Sequence, residues 1–182
     1  MKIGCRYIIS IVLGLLTALV ADAQKLQTLP ADPAVKKGVL PNGTNYYIVS
    51  NPSAKGMADF ALVQKTGANT VPGVSEVKAL QVAQEALDAS PRLLSGSVQS
   101  YFVSLGVVPD RNGFVKVSDN ATVFRFNDVM LSQKADLMDS TLVVMLDMID
   151  RANVTEDPFI RRWYAPSDQA LIIAGDVDPK SI

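Results

Sequence analysis

The chain has no histidine in its 182 residues and only one cysteine. Without imidazole it lacks the commonest nitrogen ligand of protein metal sites. The one cysteine, Cys5, lies ahead of an apolar run. The chain after that run therefore has no disulfide framework, thiol nucleophile or thiolate metal site, and its stability must come from packing. Charge of one sign is also lacking: the net value is −1, with acidic and basic residues interspersed. That excludes the basic surface that binds nucleic acid through counterion release, so no nucleic-acid partner is expected. No repeat or low-complexity segment is present.

What is there begins with an address. Lys2 and Arg6 precede an apolar run from Tyr7 to Val20, closed by Ala21-Asp22-Ala23, a small-x-small cleavage site. The run is shorter than the roughly 20 apolar residues of a membrane-spanning helix. Residues 1–23 are expected to be a bacterial-type secretory signal peptide, cleaved after Ala23, and the protein periplasmic or secreted. Cys5 precedes the run, so it is not the modified cysteine of a lipoprotein. Residues 24–34 read as a polar leader and 35–182 as one domain, a size that supports an ordinary core.

Within that domain, Val35 to Leu40 and Thr44 to Ser50 flank Pro41-Asn42-Gly43, a strong hairpin signal. Ala58 to Thr66 reads as a third strand with Phe60 and Leu62 on one face. Val74 to Ala89 reads as a helix capped by Ser75, stopped by Pro91, with Val74, Val77, Leu80 or Gln81, Gln84 and Leu87 on its inner face. Ser97 to Leu105 is a second helix, with Val98, Tyr101, Phe102 and Leu105 aligned and Gly106 as a left-handed cap. Phe114 to Val117 and Thr122 to Phe126 form another hairpin around Ser118-Asp119-Asn120. Lys134 to Ile149 carries Leu137, Met138, Leu142, Met145, Met148 and Ile149 along one side and is the clearest helix. Phe159 to Tyr164 is a short helix ended by Pro166, and Gln169 to Ala174 a final strand. The mixture predicts an α+β domain, a mostly antiparallel sheet with helices packed on one face.

Two stretches resemble the insulinase or pitrilysin family of zinc metallopeptidases. Val39-Leu40-Pro41-Asn42-Gly43 with Tyr46-Tyr47-Ile48 is similar to the family's opening hairpin. Arg162-Trp163-Tyr164-Ala165-Pro166, followed by Gly175-Asp176-Val177-Asp178, is similar to its Trp-Tyr-x-Pro and Gly-Asp segments. Tyr101 to Gly106 and Ala121 to Phe124 match weakly between them, in the right order. The resemblance implies a shortened insulinase-like (mitochondrial processing peptidase-like) domain. It also implies a zinc site, His-x-x-Glu-His on the first long helix, in which the glutamate activates a metal-bound water. The corresponding helix here carries Leu80, Gln81, Gln84 and Glu85. Amides are poor zinc ligands beside imidazole. The family's third ligand, a glutamate in a long helical segment before Trp-Tyr-x-Pro, has no room in the short interval from Asp150 to Phe159. No cofactor and no catalysis are therefore expected. The stop at Ile182 leaves open a fragment of a longer protein or a shortened relative.

Other constellations are bland. Asp136, Asp139, Asp147 and Asp150 read as a solvated acidic stripe rather than a calcium site, and Asp176 and Asp178 as turn residues. Ser75-Glu76-Val77-Lys78 has Ser-x-x-Lys spacing without a companion motif. Arg161, Arg162, Trp163 and Tyr164 are the candidate contact patch, against the alternative that the two aromatics pack in the core. Asn42, Asn120 and Asn153 begin glycosylation sequons, which a bacterial protein leaves unused. The resemblance implies an inactive, exported homologue that binds a peptide or an active zinc peptidase of the same family. The alternative is a structural, scaffolding protein of the cell envelope.

Overall fold

The computed structural model describes residues 32–70, 72–73, 75–88, 97–111, 113–154 and 158–182. The expected signal peptide, Val74, Pro91 and most of the polar leader lie outside the described residues. Six strands, β1 (Val35–Val39), β2 (Asn45–Ser50), β3 (Met57–Gln64), β4 (Val115–Val117), β5 (Thr122–Met130) and β6 (Gln169–Gly175), form one sheet in the order β1-β2-β6-β3-β5-β4. Every pairing is antiparallel except β2 with β6. Among the described residues four α-helices accompany it: α1 (Glu76–Asp88), α2 (Val98–Ser104), α3 (Leu137–Val154) and α4 (Pro158–Trp163).

Both expected hairpins form. The Pro41-Asn42-Gly43 turn is closed by Leu40 N–H donating to Thr44 O at 2.8 Å and Gly43 N–H donating to Leu40 O at 2.9 Å. Around Ser118-Asp119-Asn120, Ser118 N–H donates to Ala121 O at 2.8 Å. β5 runs four residues beyond the expected Phe126, because Met57 and Ala58 of β3 extend the ladder past a register shift, where Asp128 adopts φ 57. The shift is held by Asp128 N–H donating to the Asp59 carboxylate at 2.8 Å.

One sheet face is the core. Alternation places Ile48, Ile173, Phe60 and Phe126 in one cross-strand row, and Tyr46, Leu171, Leu62, Phe124 and Val115 in the next. Ala83 and Leu87 of α1, Val98 and Phe102 of α2, and Val144, Met145 and Ile149 of α3 pack in the same cluster. Helices thus cover this face, as expected. The opposite row of Tyr47, Ile172, Ala61 and Arg125 is half-buried or exposed. Ser97 caps α2 by accepting from Ser100 N–H, and Gly106 follows it at φ 83, where a side chain would be strained.

Two expectations are corrected. The inner face of α1 is Ala79, Val82, Ala83, Ala86 and Leu87, whereas Val77 is 76% and Leu80 46% exposed. Alanines let the helix axis approach the sheet closely, so Ala79, Ala83 and Ala86 face inward together with Val82 and Leu87, while Val77 and Leu80 stay outside. The acidic stripe on α3 is also broken: Asp147 is buried and Asp150 half-buried, while Asp136 and Asp139 are exposed. Asp147, Met148 and Ile149 are buried consecutively, which one helical face cannot produce. α3 is covered on a second side, and α4 packs against it.

A row of polar side chains closes the core at one end. Gln64, Gln169 and Thr122 are all buried and share one sheet level. Gln64 Nε2 donates to Trp163 O at 2.8 Å, Thr66 Oγ1 donates to the same oxygen at 2.6 Å, and Gln169 Nε2 donates to Tyr164 O at 3.1 Å. These are carbonyls at and just beyond the C-terminus of α4, which have no partner within the helix. Burial pushes the Tyr164 phenol above its usual pKa, against the opposing pull of a Thr122 hydrogen bond and the Arg151 charge. Burial likewise raises Tyr101. A phenol raised in the fold contributes stability that is fully present below the unfolded value of 10.0 and is lost as pH rises through the folded value. Unfolding midpoints should therefore fall above about pH 10, and Tyr164→Phe should flatten that fall in denaturant titrations.

Candidate functional site

The site is built on the outward face of α1. The helix starts at a serine cap, with Ser75 Oγ accepting from Lys78 N–H at 3.2 Å. That bond gives Ser75 a capping role. Because Ala79, Val82, Ala83 and Ala86 turn inward, Leu80, Gln81 and Gln84 are exposed and Glu85 is half-buried. Gln81, Gln84 and Glu85 stand at i, i+3 and i+4, the spacing of His-x-x-Glu-His, and so share one face. Gln81 Nε2 donates to Glu85 Oε1 at 3.1 Å, and Gln84 Nε2 donates to Gln99 Oε1 of α2 at 3.4 Å.

This set does not fit zinc. Two amides and one carboxylate replace two imidazoles and a general base, and the carboxylate is already engaged by an amide N–H. A zinc site needs three or four strong donors. Among the described residues, no group of three or more Asp, Glu, His or Cys is placed to hold a metal ion. α3 and α4 are separated by residues 155–157, which lie outside the described residues.

Beside this helix, among the described residues, the sheet has a free edge. α1 packs against β4, the outermost described strand, whose one described partner is β5. Arg125 N–H donates to Phe114 O at 2.9 Å and Ser118 N–H to Ala121 O at 2.8 Å, so residues 114, 116 and 118 face β5. The main-chain groups of Val115 and Val117 point the other way. Nothing in the sequence marks β4 as an edge, since strand order is a non-local property.

The second candidate cluster is divided. Arg161 and Arg162 are exposed, Trp163 is half-buried, and Tyr164 is buried with Val82 and Ile160. Arg162 lies over the Trp163 ring at 5.1 Å, a cation–π contact. The Trp163 and Tyr164 backbone is tied to the sheet by Gln64 and Gln169, so the pair anchors α4 as well as shaping that surface.

No protein-family model matches the sequence, and no curated protein does. Solved structures share the fold of the insulinase and pitrilysin peptidases. The first half of the periplasmic protease PqqL from Escherichia coli superposes with a TM-score of 0.67 at 18% identity over 84% of this chain and 45% of that one. Pitrilysin matches with a TM-score of 0.61 at 12% identity over 87% of this chain and 23% of its own. A peptidase M16 inactive domain from Pseudomonas fluorescens matches with a TM-score of 0.54 at 10% identity, over 80% of this chain and 47% of its own. The chain thus spans less than half the length of these structures. Its fold is insulinase/pitrilysin-like, as the hairpin and Gly-Asp segments imply. Among the described residues no helix is long and apolar enough to cross a membrane.

Proposed function

We propose that the protein is an exported, non-catalytic domain of insulinase-like fold that binds an extended peptide along the free edge of β4. One juxtaposition carries this reading: the zinc-motif spacing on α1 holds Gln81, Gln84 and Glu85, and that helix packs beside a strand whose outer edge has no partner among the described residues. An open edge binds peptides by main-chain addition without any metal. Exposed Leu80 and Val77 on α1 offer apolar contact surface. The inactive M16 domain among the fold neighbours supports the idea that this architecture is used without catalysis. Export is supported by Lys2, Arg6 and the apolar run to Val20, and by the periplasmic protease among those neighbours.

Fluorescent unstructured peptides tested against the purified protein, with and without zinc, decide the matter. Saturable binding without cleavage is expected, unchanged by zinc. Val117→Pro removes an outward N–H while sparing the ladder to β5, and should weaken binding about tenfold. Zinc-dependent cleavage would overturn the reading. Absence of saturable binding would move it to a scaffolding role, or to a complex with an active zinc peptidase in which this domain does not hold the peptide itself.

A further inference from the structure

The strand that offers its edge also carries charge on one side. In β4 the side chains of Val115 and Val117 lie on the core side of the sheet with their partners Phe124 and Thr122, whereas Lys116 pairs with Val123 on the opposite side. Lys116 is exposed, and so is Arg125, two residues beyond Val123 on that same side. Lys116, Val123, Arg125 and Asp110 line a hollow of about 20 Å³, room for one oxygen-sized group. Among the described residues no carboxylate forms an ion pair with Lys116 or Arg125. Two cations beside one carboxylate leave the hollow net positive.

An added strand fixes what this charge meets. Residues directly opposite one another in a ladder share a face of the sheet. A peptide residue opposite Lys116 therefore projects on the outer side, next to the ammonium, and the residue two positions along projects on the same side toward Arg125. The residues opposite Val115 and Val117 project on the core side, where those two valines already pack with the main cluster. One face of the peptide meets apolar surface and the other meets cations.

We infer that the peptide taken up by β4 is acidic at alternate positions, with apolar residues between them, and that Lys116 and Arg125 select it. This rests on the proposed edge binding and adds what that binding prefers. Like charges directly opposite one another destabilise a ladder, so a basic residue at the same positions is disfavoured.

Fluorescent peptides of about ten residues, the upper length of an ordinary strand, test it against the purified protein. Each has valine at every second position, with glutamate, glutamine or lysine between. At low salt the glutamate peptide should bind about tenfold more tightly than the lysine peptide, with the glutamine peptide intermediate. In about 1 M salt, where screening acts within about 3 Å, the gap should close to about twofold. Lys116→Glu combined with Arg125→Glu should reverse the order, and since both positions are exposed the variant should keep its fold. Val117→Pro should weaken the glutamate peptide as it weakens any other peptide held at the edge. Equal saturable binding of the three peptides would overturn the selectivity and leave edge binding in place. A preference that survives the double reversal, or glutamate-peptide binding undiminished by Val117→Pro, would overturn it by placing the contact elsewhere. Binding by none of the three would overturn edge binding itself, and the selectivity with it.

Discussion

Phe126→Ala is expected to lower the stability of the fold by about 3–5 kcal/mol, the range for deleting a buried phenylalanine. Phe126 is fully buried in the middle of β5. Its ring stacks on Phe102 of α2 with centroids 3.7 Å apart and 11° between planes, and Phe114 approaches to 5.4 Å. The substitution removes the contact that joins α2 to the sheet and leaves a cavity that three separate elements would have to close. Natural domains hold only about 5–15 kcal/mol in reserve, so the variant should unfold at a much lower denaturant concentration. Urea titrations should show the midpoint falling with an unchanged slope. Val108→Ala, at a site 81% exposed, is the control and should move it by no more than about 0.5 kcal/mol.

Gly175→Ala is expected to cost about 3 kcal/mol, the upper end of the range for overpacking. A methyl group there would sit 2.4 Å from Met57 O and 2.5 Å from Ala58 Cα, both backbone atoms of β3 that have no rotamer to escape into. The close approach lets Gly175 O accept from Asn51 N–H at 2.6 Å and brings Asp176 to the loop before β3, where its carboxylate accepts from Gly56 N–H at 2.7 Å. The glycine and aspartate of the Gly-Asp segment thus have structural duties, one of clearance and one of loop closure. Thermal unfolding and proteolysis of the 51–56 loop should both report the loss. Gly175→Val should be worse than Gly175→Ala, since the added branches meet the same backbone.

Local chemistry was legible in the sequence. The Asn42-Gly43 turn, the Ser75 cap and Gly106 each act within a few residues, and each stands where its chemistry places it. The long side of α3 was also readable, because Leu137, Met145, Met148 and Ile149 all turn inward at helical spacing. The inner face of α1 was not. Periodicity weights large apolar residues, so Val77 and Leu80 suggested the core, while the close contact with the sheet selects Ala79, Ala83 and Ala86. Burial of Asp147 escaped for a related reason: α3 is covered on more than one side, which tertiary packing decides and the helical period does not. Of the candidate site, the spacing of Gln81, Gln84 and Glu85 could be read directly. The free edge beside it could not, because β4 becomes outermost only through the order of the whole sheet.

The placement of β6 sets a timetable for the chain. It is the last of the described strands in chain order, yet it lies inside the sheet, between β2, with which it runs parallel, and β3. Asn45 pairs with Ala170, so one half of the central ladder must wait for a partner more than a hundred residues downstream. Such pairings close long loops before any compensation arrives and make folding slow. Until β6 emerges, β1 and β2 have no route to the rest of the sheet.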